Sequence, residues 1–120
     1  MSRKVAREIL YQLVFEYSFL KEINRDTLEI MLIGAELSED DKVYINDGYS
    51  IVSEGYENFV SEIEKLIIDF KIERIHRADL TAMIVALYEI EACPEIPEAV
   101  SVNEAVYLVK KFSTDKSYSY

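Results

Sequence analysis

Residues 79–90 read DLTAMIVALYEI, and within them Ala82-Met83-Ile84-Val85-Ala86-Leu87-Tyr88 is the longest unbroken apolar run of the chain. The run falls far short of the roughly 20 residues that a membrane-spanning helix needs. A helix that is apolar on nearly every side has no face to offer water and is stable only when other helices surround it. The stretch therefore predicts the central helix of a soluble bundle. Pro94 and Pro97 end it, because each ring removes a backbone donor and disfavours helix in the residue before it. On its other side the polar connection Glu73-Arg74-Ile75-His76-Arg77 leads in.

The rest of the chain supplies the surrounding helices. From Ser2 onward, Val5, Ile9, Leu13 and Tyr17 recur every four residues with Ala6, Leu10, Val14 and Leu20 beside them, the wide stripe of an amphipathic helix. Asn24 and Asp26 can cap a second helix carrying Leu28, Met31, Leu32 and Ala35. The Ser38-Glu39-Asp40-Asp41 cluster opens the next, whose seam of Ile45, Tyr49, Val52, Tyr56, Phe59, Ile63 and Leu66 alternates spacings of four and three. Gly48 and Gly55 interrupt that seam, and a break near Gly55 would make it two helices. In the last segment, SVNEAVYLVKKF at 101–112, Ser101 and Glu104 have the spacing of a capping box. Val102, Val106, Val109 and Phe112 would then form its buried stripe, with Lys110 and Lys111 favouring the negative helix end. Asn103, which capping does not require, is expected to bond the nearby Pro97–Val100 backbone.

Composition agrees. With 120 residues, half of them hydrophobic, the chain has material for one core, so residues 1–120 are read as a single domain. Three glycines and two prolines leave little for the turns of a many-stranded sheet, which makes the class all-α. A lone cysteine, Cys93, and the absence of a leader segment point to a reducing cytoplasm.

A net charge of −10 argues against indiscriminate attraction to nucleic acid. The charge is uneven, however. The first seven residues hold Arg3, Lys4 and Arg7 and no acid, which leaves −13 on the remainder. Three bases oppose the dipole of the helix they begin, so a partner outside that helix is expected for them. Chemistry is sparse. One histidine and one cysteine cannot build a zinc cluster. No Gly-rich phosphate loop or nucleophile elbow occurs. His76 reads as a solvated residue and Cys93 as a small apolar filler. Neither a cofactor, a metal nor an enzymatic activity is expected.

The stretch Pro97-Glu98-Ala99-Val100-Ser101-Val102-Asn103-Glu104-Ala105-Val106-Tyr107-Leu108-Val109-Lys110-Lys111-Phe112 resembles the P-x-x-V-x-I-N-E-A-V-x-L-A-K-x-F signature of the NusB transcription antitermination family. Asp79 followed by Ala86-Leu87-Tyr88-Glu89-Ile90 is similar to the family's D-x-A-I-L-R-x-A-x-Y-E-L helix, and Arg3-Lys4-Val5-Ala6-Arg7 to its basic first helix. From Leu20 to Phe70 the likeness is one of helical pattern alone.

The resemblance implies two small packed helix bundles and an adaptor without catalysis. Such adaptors bind the boxA element of ribosomal RNA leader transcripts together with NusE, a small-subunit ribosomal protein, within an antitermination complex with RNA polymerase. Carried over residue by residue, it assigns RNA binding to Arg3, Lys4 and Arg7, with Phe15 and Tyr120 as aromatic candidates. It assigns partner binding to Asp79 and Lys116. Each has a structural alternative: Asp79 as a helix cap, Phe15 as core, and Tyr118 and Tyr120 as packing groups. Two other functional readings remain open, the recognition module of a ribosomal RNA cytosine methyltransferase and a protein-only relative that forms homodimers.

The sequence also departs from the pattern. Ile84 stands where the family usually has Arg, and Lys116 where relatives often carry an acid. The sequence ends at Tyr120, where the family proceeds into an N-G-x-L helix, so either that last helix is absent or the sequence is a fragment of a longer chain.

Overall fold

The computed structural model describes residues 2–67 and 75–112, and among them it contains six helices and no strand. These are α1 (Ser2–Leu20), α2 (Arg25–Ile33), α3 (Glu39–Glu54), α4 (Tyr56–Leu66), α5 (Arg77–Ala92) and α6 (Glu98–Phe112). No helix among the described residues is long and apolar enough to cross a membrane.

The apolar run lies where its composition requires. Helix α5 packs against α1, α3, α4 and α6 and buries Thr81, Ala82, Ile84, Val85, Tyr88 and Glu89. Helices α1 to α3 form one group and α4 to α6 a second, and α5 joins the two by lying against α1 and α3. Ile84, at the position where the resembled NusB pattern has Arg, is fully buried, a position that an isoleucine can occupy without a counter-charge.

Local signals set most boundaries. The Asn24 side chain accepts from the Thr27 N–H at 3.1 Å, and the Ser38 hydroxyl from the Asp41 N–H at 3.1 Å, each relieving an orphan donor of a first turn. Gly55 separates α3 from α4, its N–H bonding the Ile51 carbonyl at 3.0 Å. Gly48 serves a different purpose. A Cβ there would stand 2.7 Å from Leu10 Cδ2 and 3.0 Å from Tyr88 Cε2, so any larger residue would have to push these buried side chains aside where α3 meets α1 and α5.

Helix α6 corrects the capping-box expectation. It begins at Glu98, one turn earlier, and the Pro97 carbonyl accepts from the Val100 and Ser101 N–H groups at 3.0 and 3.2 Å. Pro97 leads the chain into a helix because its φ is already set and it has no N–H to satisfy. Ser101 therefore lies inside the helix, 1% exposed, and its hydroxyl donates to Glu89 instead of capping. The buried face turns with it. Ser101 and Leu108 are buried, whereas Val102 and Val106 are 51% and 48% exposed. Asn103 is exposed, and among the described residues its side chain makes no hydrogen bond to the Pro97–Val100 backbone.

Candidate functional site

The three bases of α1 find partners in the acidic body of their own chain. Arg3 Nε lies 3.0 Å from Asp41 Oδ1, with its guanidinium carbon 4.6 Å from the centroid of the Tyr44 ring. Lys4 Nζ lies 2.8 Å from Glu104 Oε1 and 3.8 Å from the Tyr107 ring centroid. Helical spacing turns Arg3 toward α3 and Lys4 toward α6. Both side chains remain partly open, at 31% and 44% exposure.

Arg7, one turn on, points inward and is only 5% exposed. Its Nε donates to Glu89 Oε2 and its Nη2 to Glu89 Oε1 at 3.2 Å, the two-pronged geometry that guanidinium and carboxylate share. The Tyr44 hydroxyl also donates to Glu89 Oε2 and the Ser101 hydroxyl to Oε1 at 2.7 Å, so one fully buried carboxylate gathers groups from α1, α3 and α6. Burial alone would lower the Arg7 pKa, but the hydrogen bond and charge of Glu89, with Tyr44 and Glu104, outweigh it and hold the guanidinium above its ordinary value. Tyr44 is pushed far up by burial and then by the Glu89 charge, so it remains a neutral donor. Arg7 thus fixes the orientation of α1 from within, while Arg3 and Lys4 carry the cationic tip.

Beside Lys4 the α1–α6 edge holds two further features, of which only Phe15 was expected from the sequence to bind RNA. Lys111 reaches across from α6 to both carboxylate oxygens of Glu8 at 3.0 Å, which raises its pKa, and its Nζ is 5.8 Å from the Tyr107 ring centroid. An aromatic row then follows α1 at four-residue steps. Tyr11 and Phe15 lie 6.4 Å apart, Phe15 and Phe19 5.1 Å apart edge-on, and Phe112 stacks on Tyr11 at 5.0 Å. Tyr11 is buried and Phe15 half-buried, whereas Phe19 is 59% exposed with the Arg77 guanidinium 4.4 Å from its centroid. The available signal was spacing. Lys4 and Glu8 share one face of α1, and Glu104, Tyr107 and Lys111 share one face of α6.

Asp79 is placed elsewhere. It is the third residue of α5, after the N-cap position of His76, and lies at the edge of an apolar groove of roughly 430 Å³. Helix α5 forms the floor of that groove through Ala82, Met83 and Ala86, between walls from α4 and α6. Its negative charge, after burial, helps push the Tyr11 pKa up to about 12. Lys116, Tyr118 and Tyr120 lie outside the described residues. Among the described residues no group of His, Cys, Asp and Glu is arranged to hold a metal ion. His76 is exposed at the start of α5, and Cys93 is buried with its thiol pKa raised, first by that burial.

The model of the NusB family matches residues 1–120. The chain belongs to the NusB family. Curated relatives agree along its whole length. It is 33% identical over 122 residues to the transcription antitermination protein NusB of Clostridium perfringens, an alignment that covers 100% of this chain and 90% of the relative. It is 37% identical over 123 residues to the NusB protein of Natranaerobius thermophilus, covering 100% and 88%. With that of Clostridium acetobutylicum it shares 36% identity over 120 residues, covering 100% and 89%. The all-helical, two-group arrangement is the fold that NusB resemblance implies.

Proposed function

We propose that this chain is a transcription antitermination factor that binds boxA RNA of ribosomal RNA leader transcripts together with NusE, and that it catalyses nothing. The observation that carries the reading is the α1–α6 edge, where Lys4 and Lys111 stand over Tyr107 and lead to Phe15 and Phe19. Cations beside accessible rings suit single-stranded RNA, whose phosphates take the charges and whose unstacked bases take the ring faces. Arg3 extends the cationic surface toward α3, and Tyr120 joins the RNA-binding set by family likeness. Arg7, held by Glu89, supports this surface and contributes no open donor of its own.

The partner surface centres on Asp79, with Lys116 assigned to its edge by family likeness. Exposed Leu66, Met83, Val102 and Val106 give that side an apolar character fit for a protein. NusE brings positive charge that a chain of net charge −10 lacks. The test is a titration of boxA RNA with this protein, alone and with NusE. The complex should bind more tightly than either protein, and Asp79→Ala should reduce the gain from NusE while leaving RNA binding by the single protein unchanged. Equal affinity with and without NusE would defeat the adaptor reading.

A further inference from the structure

Lys4 and Lys111 are tied to α1 and α6 in a crossed pattern. The lysine of α1 takes a carboxylate of α6, Glu104 at 2.8 Å, and the lysine of α6 takes a carboxylate of α1, Glu8 at 3.0 Å. Both ammonium groups stand over the same ring, that of Tyr107. Two cations and two anions close on one another, so the face presents little net charge. Arg7 Nη1 also lies 3.5 Å from Glu104 Oε1, so Glu104 has a second cation within reach when Lys4 turns away.

We propose that Glu8 and Glu104 gate the RNA-binding face: they neutralise Lys4 and Lys111 in the free protein, and single-stranded RNA binds by exchanging its phosphates for these two carboxylates. The inference rests on the reading of the α1–α6 edge as the RNA surface. The pairs are suited to exchange. All four side chains are partly exposed, at 44% and 24% for Lys4 and Glu104 and 45% and 19% for Lys111 and Glu8, and ion pairs of that kind are weak. A phosphate that replaces a carboxylate leaves each lysine over Tyr107, so the cation–π contact survives the exchange. Displacement nevertheless opposes binding. An isolated phosphate group gains one contact for one lost, whereas an RNA strand that also stacks on the neighbouring aromatic row gains more than it gives up. The gate therefore lowers the affinity of every polyanion, and one that also stacks on the rings binds in spite of it.

The experiment titrates boxA RNA and a scrambled single strand of equal length with Glu8→Gln, Glu104→Gln and the double variant. Each single substitution should tighten both RNAs by about two- to fivefold, the range set by loss of one partly exposed ion pair. The ratio of boxA to scrambled affinity should stay as it is, because both strands must displace the same two carboxylates. Glu29→Gln on exposed α2 makes the same change of charge far from the face and should leave affinity unchanged. Adding Lys4→Gln to Glu104→Gln should abolish the gain, because nothing then remains to be unmasked. Glu8→Gln, which lies away from the buried Arg7 pair, decides the matter if Glu104→Gln disturbs folding.

If Lys4→Gln and Lys111→Gln weaken binding but Glu8→Gln does not tighten it, the gate is wrong and the RNA face stands. If the lysine variants bind as the parent does, the face itself is misplaced and the gate falls with it. Equal tightening by Glu29→Gln would reduce the effect to overall charge and also overturn the proposal.

Discussion

Arg7 and Glu89, 82 positions apart in the chain, meet as a buried ion pair that locks α1 onto α5. Glu89 is fully buried and Arg7 is 5% exposed, so neither charge has water to fall back on. Removing Arg7 leaves the Glu89 carboxylate buried without a counter-charge, and removing Glu89 leaves Arg7 only Glu104, 3.5 Å away, each costing about 3–5 kcal/mol. Arg7→Ala and Glu89→Leu should each lower the unfolding free energy read from urea titration by that much, without any RNA present. A loss below about 1 kcal/mol would mean that water reaches the pair.

Ser101 provides a sharper distinction. Its hydroxyl serves Glu89 and not the α6 backbone, so Ser101→Ala should cost about 1–2 kcal/mol and lose most of that cost in a Glu89→Leu background. A helix cap would show no such coupling, since its acceptor role is local. Additive effects in the double-mutant cycle would restore the capping-box reading.

Gly48→Ala reverses the usual helix preference. In an open helix the change would stabilise by about 1 kcal/mol. Here the added methyl meets Leu10 and Tyr88, and overpacking should leave the variant about 1–3 kcal/mol less stable by denaturant unfolding. Gly55→Ala, whose nearest neighbour would be 3.5 Å away, should be close to neutral.

Much of this fold is legible in the sequence because its helices are set by local chemistry. Asn24 and Ser38 cap, Gly55 divides, and the run at Ala82–Tyr88 can only be central. The start of α6 was not legible in the same way. SVNE satisfies the capping-box pattern, yet the helix begins at Glu98, right after Pro97 and a turn earlier, and the demand of buried Glu89 for donors gives Ser101 a use that no local pattern reveals. The candidate site divides similarly. The cluster of bases was visible, and so was its conflict with the helix dipole. That the conflict is relieved by Asp41, Glu89 and Glu104 depends on pairings of residues 38 to 100 positions apart, which one-dimensional spacing does not carry.

Alkaline stability follows from the tyrosines. Burial raises the pKa of Tyr44 and Tyr88 far above the ordinary value, that of Tyr11 to about 12, and those of Tyr49 and Tyr56 to a lesser degree. A folded-state pKa above the unfolded one contributes stability that is complete below about pH 10, where an unfolded tyrosine still holds its proton. That stability is lost as pH rises toward about 12 and beyond. Thermal midpoints should therefore fall above about pH 10. In an ultraviolet titration the late tyrosines should ionise together with loss of helical circular dichroism. Independent ionisation of all nine tyrosines near pH 10 with the helices intact would contradict the burial described.

The proposed RNA recognition rests on Lys4 and Lys111 holding phosphates. The most direct measurement is the salt dependence of boxA binding, with NusE present, for the parent and for Lys4→Ala/Lys111→Ala. Each phosphate contact on a single strand contributes about 0.7 to the slope of log affinity against log salt, so the double variant should bind more weakly with a slope shallower by about 1.4. The same affinity and the same slope in both proteins would contradict it.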